Sequence, residues 1–503
     1  MLLTMLEVYT VALLCAIIHV NVDCAPFPEN IVYPKLLEAR GIKGQKVLHI
    51  KDGLTLTLEK LSVLADSLVF TESNDGVATE TIMNGTELEK PLYRDRAKMA
   101  AVALEEKHSS IEVMGVLSDK LRIAPWPFMA RSDEGHLAHR IYEVEPSMNH
   151  EENYADTPPE KPARTKRRTR ATSMNHVPDE FFVEVHMMVD QNHYNVFENK
   201  KQLATYLALN IALVNMRYED TSSPKIQFLL TSIQKEEEFT KRFLDNDVDW
   251  PEAERIYANA NATFENLLKN YGKSPADITV AVTGLLLADY DYDRVDIRVQ
   301  GQARLGGVCN ASYSILMVED VPLSYGMVSR LPHELGHALG APHDGDIYVW
   351  NTALPPKLNC SASGRFIMNP YQPGNGKFSN CSKKHMTAFI STLKEDCFKF
   401  KAEQNCTTEM KVLPGASINL TEICIRAHPN LPEWNLKRTD DLSSSCLFGC
   451  SSSSPVGEIY MEEPLPDGAE CGGGKRCVRG NCDFYDEHGT PLESPPGANI
   501  TTL

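Results

Sequence analysis

The stretch His333-Glu334-Leu335-Gly336-His337-Ala338-Leu339-Gly340-Ala341-Pro342-His343-Asp344 decides the reading of this 503-residue chain. Side chains four apart share one face of a helix, so His333 and His337 can bring two imidazoles to one metal ion. Glu334, one residue along, can approach a water at that ion without being a ligand. Gly340 permits the left-handed backbone that ends a helix, and the reversal after it carries His343 to a third coordination position. Three nitrogens with one position left open form a catalytic zinc arrangement, whereas a structural zinc uses four protein ligands. A solitary histidine such as His385 lacks this context and reads as an ordinary packing or surface residue.

Upstream, strands and helices alternate. Phe181–Val189, Ile226–Ile233 and Ile278–Thr283 are strand-sized apolar runs, and Gln302–Cys309 and Tyr313–Glu319 follow as two more. Tyr194–Met216 carries helical spacing, with Leu203, Leu207, Ile211 and Val214 on one side. A second helix is expected over Ala253–Tyr271, opened by Asp249-Trp250-Pro251, since proline suits a first turn. This order predicts an α/β fold with a mixed, largely parallel sheet. Pro332 directly before His333 implies that the metal-bearing helix either bends or begins there.

The extended form HExxHxxGxxH, with Met368 downstream in Phe366-Ile367-Met368-Asn369-Pro370, resembles the metzincin proteases. Asp344 after the third histidine is similar to the reprolysin (adamalysin) branch, as are Gly301-Gln302-Ala303-Arg304-Leu305-Gly306-Gly307-Val308-Cys309 and the buried strand Asp277–Gly284. The likeness spans about 178–400, and Asp467–Cys482 further resembles the cysteine-rich segment that follows the catalytic domain in ADAMTS and secreted tick salivary metalloproteases. It implies a mixed five-stranded sheet with helices over a zinc cleft and hydrolysis of peptide bonds. Glu334 would be the general base, Met368 the methionine turn, and Asp344 a support behind the ligands. Leu305, Gly306 and Gly307 would form the strand along which substrate lies. The resemblance also implies disulfides Cys309–Cys397 and Cys360–Cys381, where the four cysteines alone allow three pairings. Glu184, Asp277 and Cys397 align with the family's calcium positions, but the asparagine expected just after Cys397 is missing, which leaves calcium (Ca2+) open beside the single catalytic Zn2+.

The flanks organise the rest, and the length suggests about three domains. Residues 1–24, with the apolar run Val8–Val22, read as a secretory signal; the run is short for a bilayer-spanning helix, so no stable membrane anchor is expected. Eleven of the thirteen cysteines fall between Cys309 and Cys482, a clustering that fits disulfides in an oxidising, extracellular compartment. Eight Asn-x-Ser/Thr sequons agree with a secreted glycoprotein. The Pro-rich and basic segment ending in Arg164-Thr165-Lys166-Arg167 resembles a furin-type processing site, making 25–167 a propeptide and the protein a zymogen. Within it, Val47–Ile50 and Leu54–Leu58 flank Lys51-Asp52-Gly53 as a hairpin. Residues 25–308 contain no cysteine, so inhibition by a propeptide thiol on the metal is excluded.

The catalytic domain is placed at 168–400 and a cysteine-rich region at 401–503. The latter has little apolar material and seven cysteines, an odd number, and needs disulfides for order. It reads as a docking surface for substrate. A net charge of −18 argues against nucleic acid as a partner and leaves extracellular protein substrates, with the chain's own propeptide bound before processing. The rival reading is a binding protein that keeps the metzincin scaffold and acts through its tail; the intact His333, Glu334, His337 and His343 favour the enzyme.

Overall fold

The computed structural model describes residues 30–144, 177–241, 257–346, 361–400 and 434–492 with short gaps, and a few positions between 413 and 424. The N-terminal signal and Arg167 lie outside the described residues.

Residues 30–144 build a nine-stranded antiparallel sheet. The expected hairpin is present: Lys46–Lys51 pairs with Leu54–Lys60, and Gly53 takes the positive φ (+72°) that the turn requires. Two further strands of this region, β1 (Leu64–Asn74) and β2 (Val77–Asn84), leave that sheet and join another.

That second sheet carries the site. It contains β3 (Glu180–Asp190), β4 (Lys225–Glu236), β5 (Ile278–Thr283), β6 (Gly301–Ala303) and β7 (Ile315–Glu319) in the order β6-β7-β5-β3-β4-β1-β2. The 177–400 segment thus supplies five strands, and the N-terminal region extends them to seven through the parallel pair β4–β1, with Leu230 opposite Leu64 and Ile233 opposite Phe70. The pairs β3–β4, β3–β5 and β5–β7 are parallel, and β6 runs antiparallel at the far edge. All six residues of β5 are buried, as a central parallel strand covered on both faces requires.

Three helices pack on this sheet, α1 (Lys200–Tyr218), α2 (Ala260–Tyr271) and α3 (Met327–Ala338), and a fourth, α4 (Asn380–Ile390), joins the apolar core through Met386, Phe389 and Ile390. The first starts later than its spacing suggested, because Gln191–Tyr194 forms a separate turn of helix and Asn199 caps Lys200 onward by accepting from the Gln202 N–H. Similarly, Tyr257–Asn259 is a short strand, and Asn259 caps α2 through the Ala262 N–H. The expected opening at 249–251 lies outside the described residues. One apolar core joins residues of the N-terminal region, such as Leu68, Phe70 and Leu92, to Val183, Leu207, Phe228 and Leu335.

The C-terminal region orders around three disulfides, Cys424–Cys450, Cys446–Cys477 and Cys471–Cys482, with Phe448 and Leu465 between them. Of its seven cysteines, Cys406 lies outside the described residues. Among the described residues no helix is long and apolar enough to cross a membrane.

Candidate active site

Helix α3 begins without a side-chain cap of its own; Asp320, at the end of β7, accepts from the Met327 N–H at 2.9 Å instead. The same carboxylate accepts from Tyr206 Oη at 2.6 Å and sits 2.9 Å from His193 Nε2, all of it buried. Burial and the neighbouring carboxylate hold the Tyr206 hydroxyl in its protonated, donating form, with its pKa well above the ordinary value. These bonds fix where the helix starts relative to β3, β7 and α1. Pro332 lies inside α3, so the helix neither begins there nor stops; the carbonyl of Pro332 takes a hydrogen bond from Tyr218 Oη at 2.8 Å.

The other end of α3 is set by glycine. Gly340 takes φ +90°, its N–H reaches the His337 carbonyl (2.8 Å), and the Ala341 N–H reaches the Gly336 carbonyl (2.9 Å), which is the Schellman pattern. The chain reverses and delivers His343. Three imidazoles then converge: the Nε2 atoms of His333 and His337 lie 3.0 Å apart, and each is 3.2 Å from Nε2 of His343.

Their outer nitrogens decide the protonation. His333 Nδ1 donates to the Ile367 carbonyl at 2.7 Å and His337 Nδ1 to the Ala341 carbonyl at 2.8 Å, so in both rings the Nε2 lone pair points inward. Lone pairs at this spacing repel unless a cation lies between them. A tetrahedral metal with nitrogen ligands at ~2.0–2.1 Å spaces those ligands ~3.3 Å apart, close to what is observed. Burial, then the two neighbouring imidazoles, push the His337 pKa well below its usual range, so that ring stays neutral and able to ligate. Among the described residues the group contains these three histidines and no fourth His, Cys, Asp or Glu, which leaves one vertex for solvent.

Glu334 is buried beside this triangle. A Cβ built on Gly301 would lie 2.8 Å from its Cγ and Oε1, so the missing side chain at β6 is what gives the carboxylate its place. Below the histidines, Met368 is fully buried, and its Sδ would stand 2.6 Å from a Cβ at Gly336. The Met368 carbonyl accepts from the Asp344 N–H at 2.9 Å, while Asp344 Oδ1 accepts from Ser379 (2.6 Å) and Ser382 (3.1 Å). Burial raises the Asp344 carboxyl and the two hydroxyls counter it.

The structure corrects one placement. Leu305, Gly306 and Gly307 are not strand: β6 ends at Ala303, and the following residues turn, with Gly306 at φ +73°. Gly307 N–H closes the turn on the Arg304 carbonyl (3.1 Å), while Gly306 N–H reaches the His337 carbonyl (2.9 Å) and Val308 N–H the Ala338 carbonyl (3.1 Å) of α3. The edge strand of the sheet is Gly301–Ala303. Cys309–Cys397 forms a disulfide; Cys381 is also disulfide-bonded, while Cys360 lies outside the described residues. Glu184 and Asp277 are both buried and adjacent, the Glu184 N–H donating to Asp277 Oδ2 at 3.0 Å, with Cys309 Sγ 3.4 Å from Oδ1. Sequence reasoning passed over Gly301, Gly336, Asp320, Tyr206, Ser379 and Ser382. Only the two glycines left a visible signal, Gly336 within His333–Asp344 and Gly301 at the head of Gly301–Cys309.

Comparison with known proteins meets this geometry in the same segment, where residues 182–379 match the profile of metallo-peptidase family M12, Reprolysin_5. These residues form a reprolysin-type metzincin domain. The chain that carries it is a metalloendopeptidase. It is 25% identical over 380 residues to the venom metalloproteinase BumaMPs1 of Olivierus martensii, covering 73% of this chain and 91% of that one. It is 27% identical over 331 residues to the venom metalloproteinase antarease TserMP_A of Tityus serrulatus, covering 64% and 81%. A Bombyx mori protein described as a disintegrin and metalloproteinase with thrombospondin motifs like is 24% identical over 395 residues, covering 72% and 56%. The reprolysin domain therefore lies inside a likeness that, in the first of these relatives, extends well beyond it.

Proposed function

We propose that the protein is a secreted zinc endopeptidase, made as a zymogen and cut after Arg167, which hydrolyses peptide bonds in extracellular proteins. The observation that carries this reading is the inward-facing Nε2 triangle with one open vertex and Glu334 beside it. His333, His337 and His343 would hold the metal; zinc bound there supplies a Lewis acid and brings the pKa of water toward about 7. The chain's own groups do the rest. The β6 backbone, Gly301–Ala303, offers an edge along which an extended peptide aligns, so recognition there depends little on side chains. Glu334 takes a proton from the attacking water and returns it to the leaving amine nitrogen. The carbonyls of Ile367 and Ala341 fix the imidazole tautomers, and Asp344 with its two serines holds the loop that delivers His343. Cysteine clustering and the likeness to proteins named as venom metalloproteinases support secretion.

The test is Glu334→Ala. It is expected to lower kcat/KM for peptide cleavage by about 10²–10⁴ or more while bound zinc stays at one per chain. Near-normal turnover would refute the assignment of the base.

A further inference from the structure

The sixteen residues from Leu203 to Tyr218 in α1 are all buried. The helix carries apolar stripes on opposite sides: Leu203, Leu207, Ile211 and Val214 on one, and Leu209, Ala212 and Met216, in line with Thr205, on the other. A helix that spends its working life at a surface keeps a polar face, and α1 has none. One layer covering it is the catalytic sheet with α3. The other comes from residues 30–144, through the helical turn Gly85–Glu89 and the strands Leu92–Asp95 and Ala100–Lys107.

The same region adds β1 to the β4 edge, with the Leu230 N–H donating to the Val63 carbonyl at 2.8 Å. Charges on both sides are spent on the contact: Lys200 and Lys235 face Glu72, and Arg94 and Arg96 reach Glu219 at the end of α1. Arg217 pairs with Asp119, and Arg122, itself buried, donates to the Ser324 carbonyl just before α3. This is a core cut across two segments of chain, and it resembles an obligate interface. It also joins the sheet at the edge opposite β6.

We propose that the 30–144 unit stays bound after processing, as the permanent second chain of a two-chain enzyme, with α1 as its seat. The inference rests on the reading that the chain is cut near Arg167. The link is non-covalent, because residues 25–308 contain no cysteine. Release of the unit would bare the second stripe of α1 and the β4 edge to water. Its strands meet the sheet at the edge opposite β6, and no described N-terminal residue joins the histidine group.

The experiment uses the full chain carrying Glu334→Gln, to prevent self-digestion, with residues 164–167 replaced by the recognition sequence of a site-specific protease. After cutting, the two fragments should leave a gel-filtration column in one peak. They should do so even after dilution into the nanomolar range and in about 1 M salt, where the Debye length shrinks to ~3 Å and ion pairs are screened. They should part only in denaturant. Elution of 168–503 alone, as a monodisperse species with a cooperative melt, would overturn the proposal. Because the cut is imposed, separation of the fragments counts against retention alone, whereas failure of the natural chain to be cut near Arg167 removes the zymogen reading and with it the two-chain enzyme.

Discussion

Glu334 and Met368 owe their positions to two absent side chains. A methyl group at Gly301 would meet the Glu334 carboxylate at 2.8 Å, and the carboxylate is the more mobile partner, so it would swing away from its working position. Gly301→Ala should therefore retain zinc and fold normally but lose kcat, by about tenfold to a hundredfold if proton transfer is impaired without being abolished. Metal analysis with steady-state kinetics checks it, and unchanged kcat would mean that Glu334 does not act from this place. Gly336→Ala meets Met368 Sδ at 2.6 Å in a fully buried spot and should cost about 1–3 kcal/mol of stability in a denaturant titration. The ligand set was legible in the sequence because helical periodicity and one glycine turn place all three histidines within eleven residues. Asp320 was not: its partner Tyr206 lies 114 residues away, and no local pattern announces such a bond.

Among the elements, regular interiors were easier to read than ends. Ile278–Thr283 matches its strand residue for residue, since a continuous apolar run between polar flanks has few other fates. The ends of α1 and α2 moved because Asn199 and Asn259, through their caps, outweigh the apolar periodicity that runs on before them. The edge strand shortened because the glycines after Ala303 serve a turn bonded to α3. Helix α4 has a double attachment at Ser379, whose hydroxyl accepts the Ser382 N–H as a cap and donates to Asp344. Ser379→Ala removes both and should destabilise the domain by about 1–2 kcal/mol, with zinc lost at lower chelator concentration than in the parent. A thermal melt unchanged within error would show that the cap is redundant.

For the chain as a unit, the sequence signalled three regions but not that two share a sheet and a core. Parallel pairing of 64–71 with 230–234 is a contact between distant segments, and alternation within either strand is silent about its partner. A third contact joins the C-terminal region to the first. Glu463 is buried with neither carboxylate oxygen hydrogen-bonded among the described residues, facing Lys98 and Asp52 of the N-terminal unit. Burial pushes its carboxyl up to about 7, and Asp95 nearby up to about 6. Both acids hold a proton in the folded state that they release when unfolded. The stability this contributes is complete below the ordinary carboxylate range and lost as pH rises through these raised values. Melting temperature should fall from about pH 5 to about pH 8, and Glu463→Gln should remove the larger part, on the order of 3 kcal/mol. A variant with the same pH slope as the parent would contradict this.

Hydrolysis at this site depends on the arrangement of the three imidazoles. X-ray absorption at the zinc edge of the metal-loaded protein reads it directly. The expected first shell is three imidazole nitrogens and one light atom from solvent at ~2.0–2.1 Å. A sulfur shell near ~2.3 Å, or a shell with fewer than three imidazoles, would contradict it.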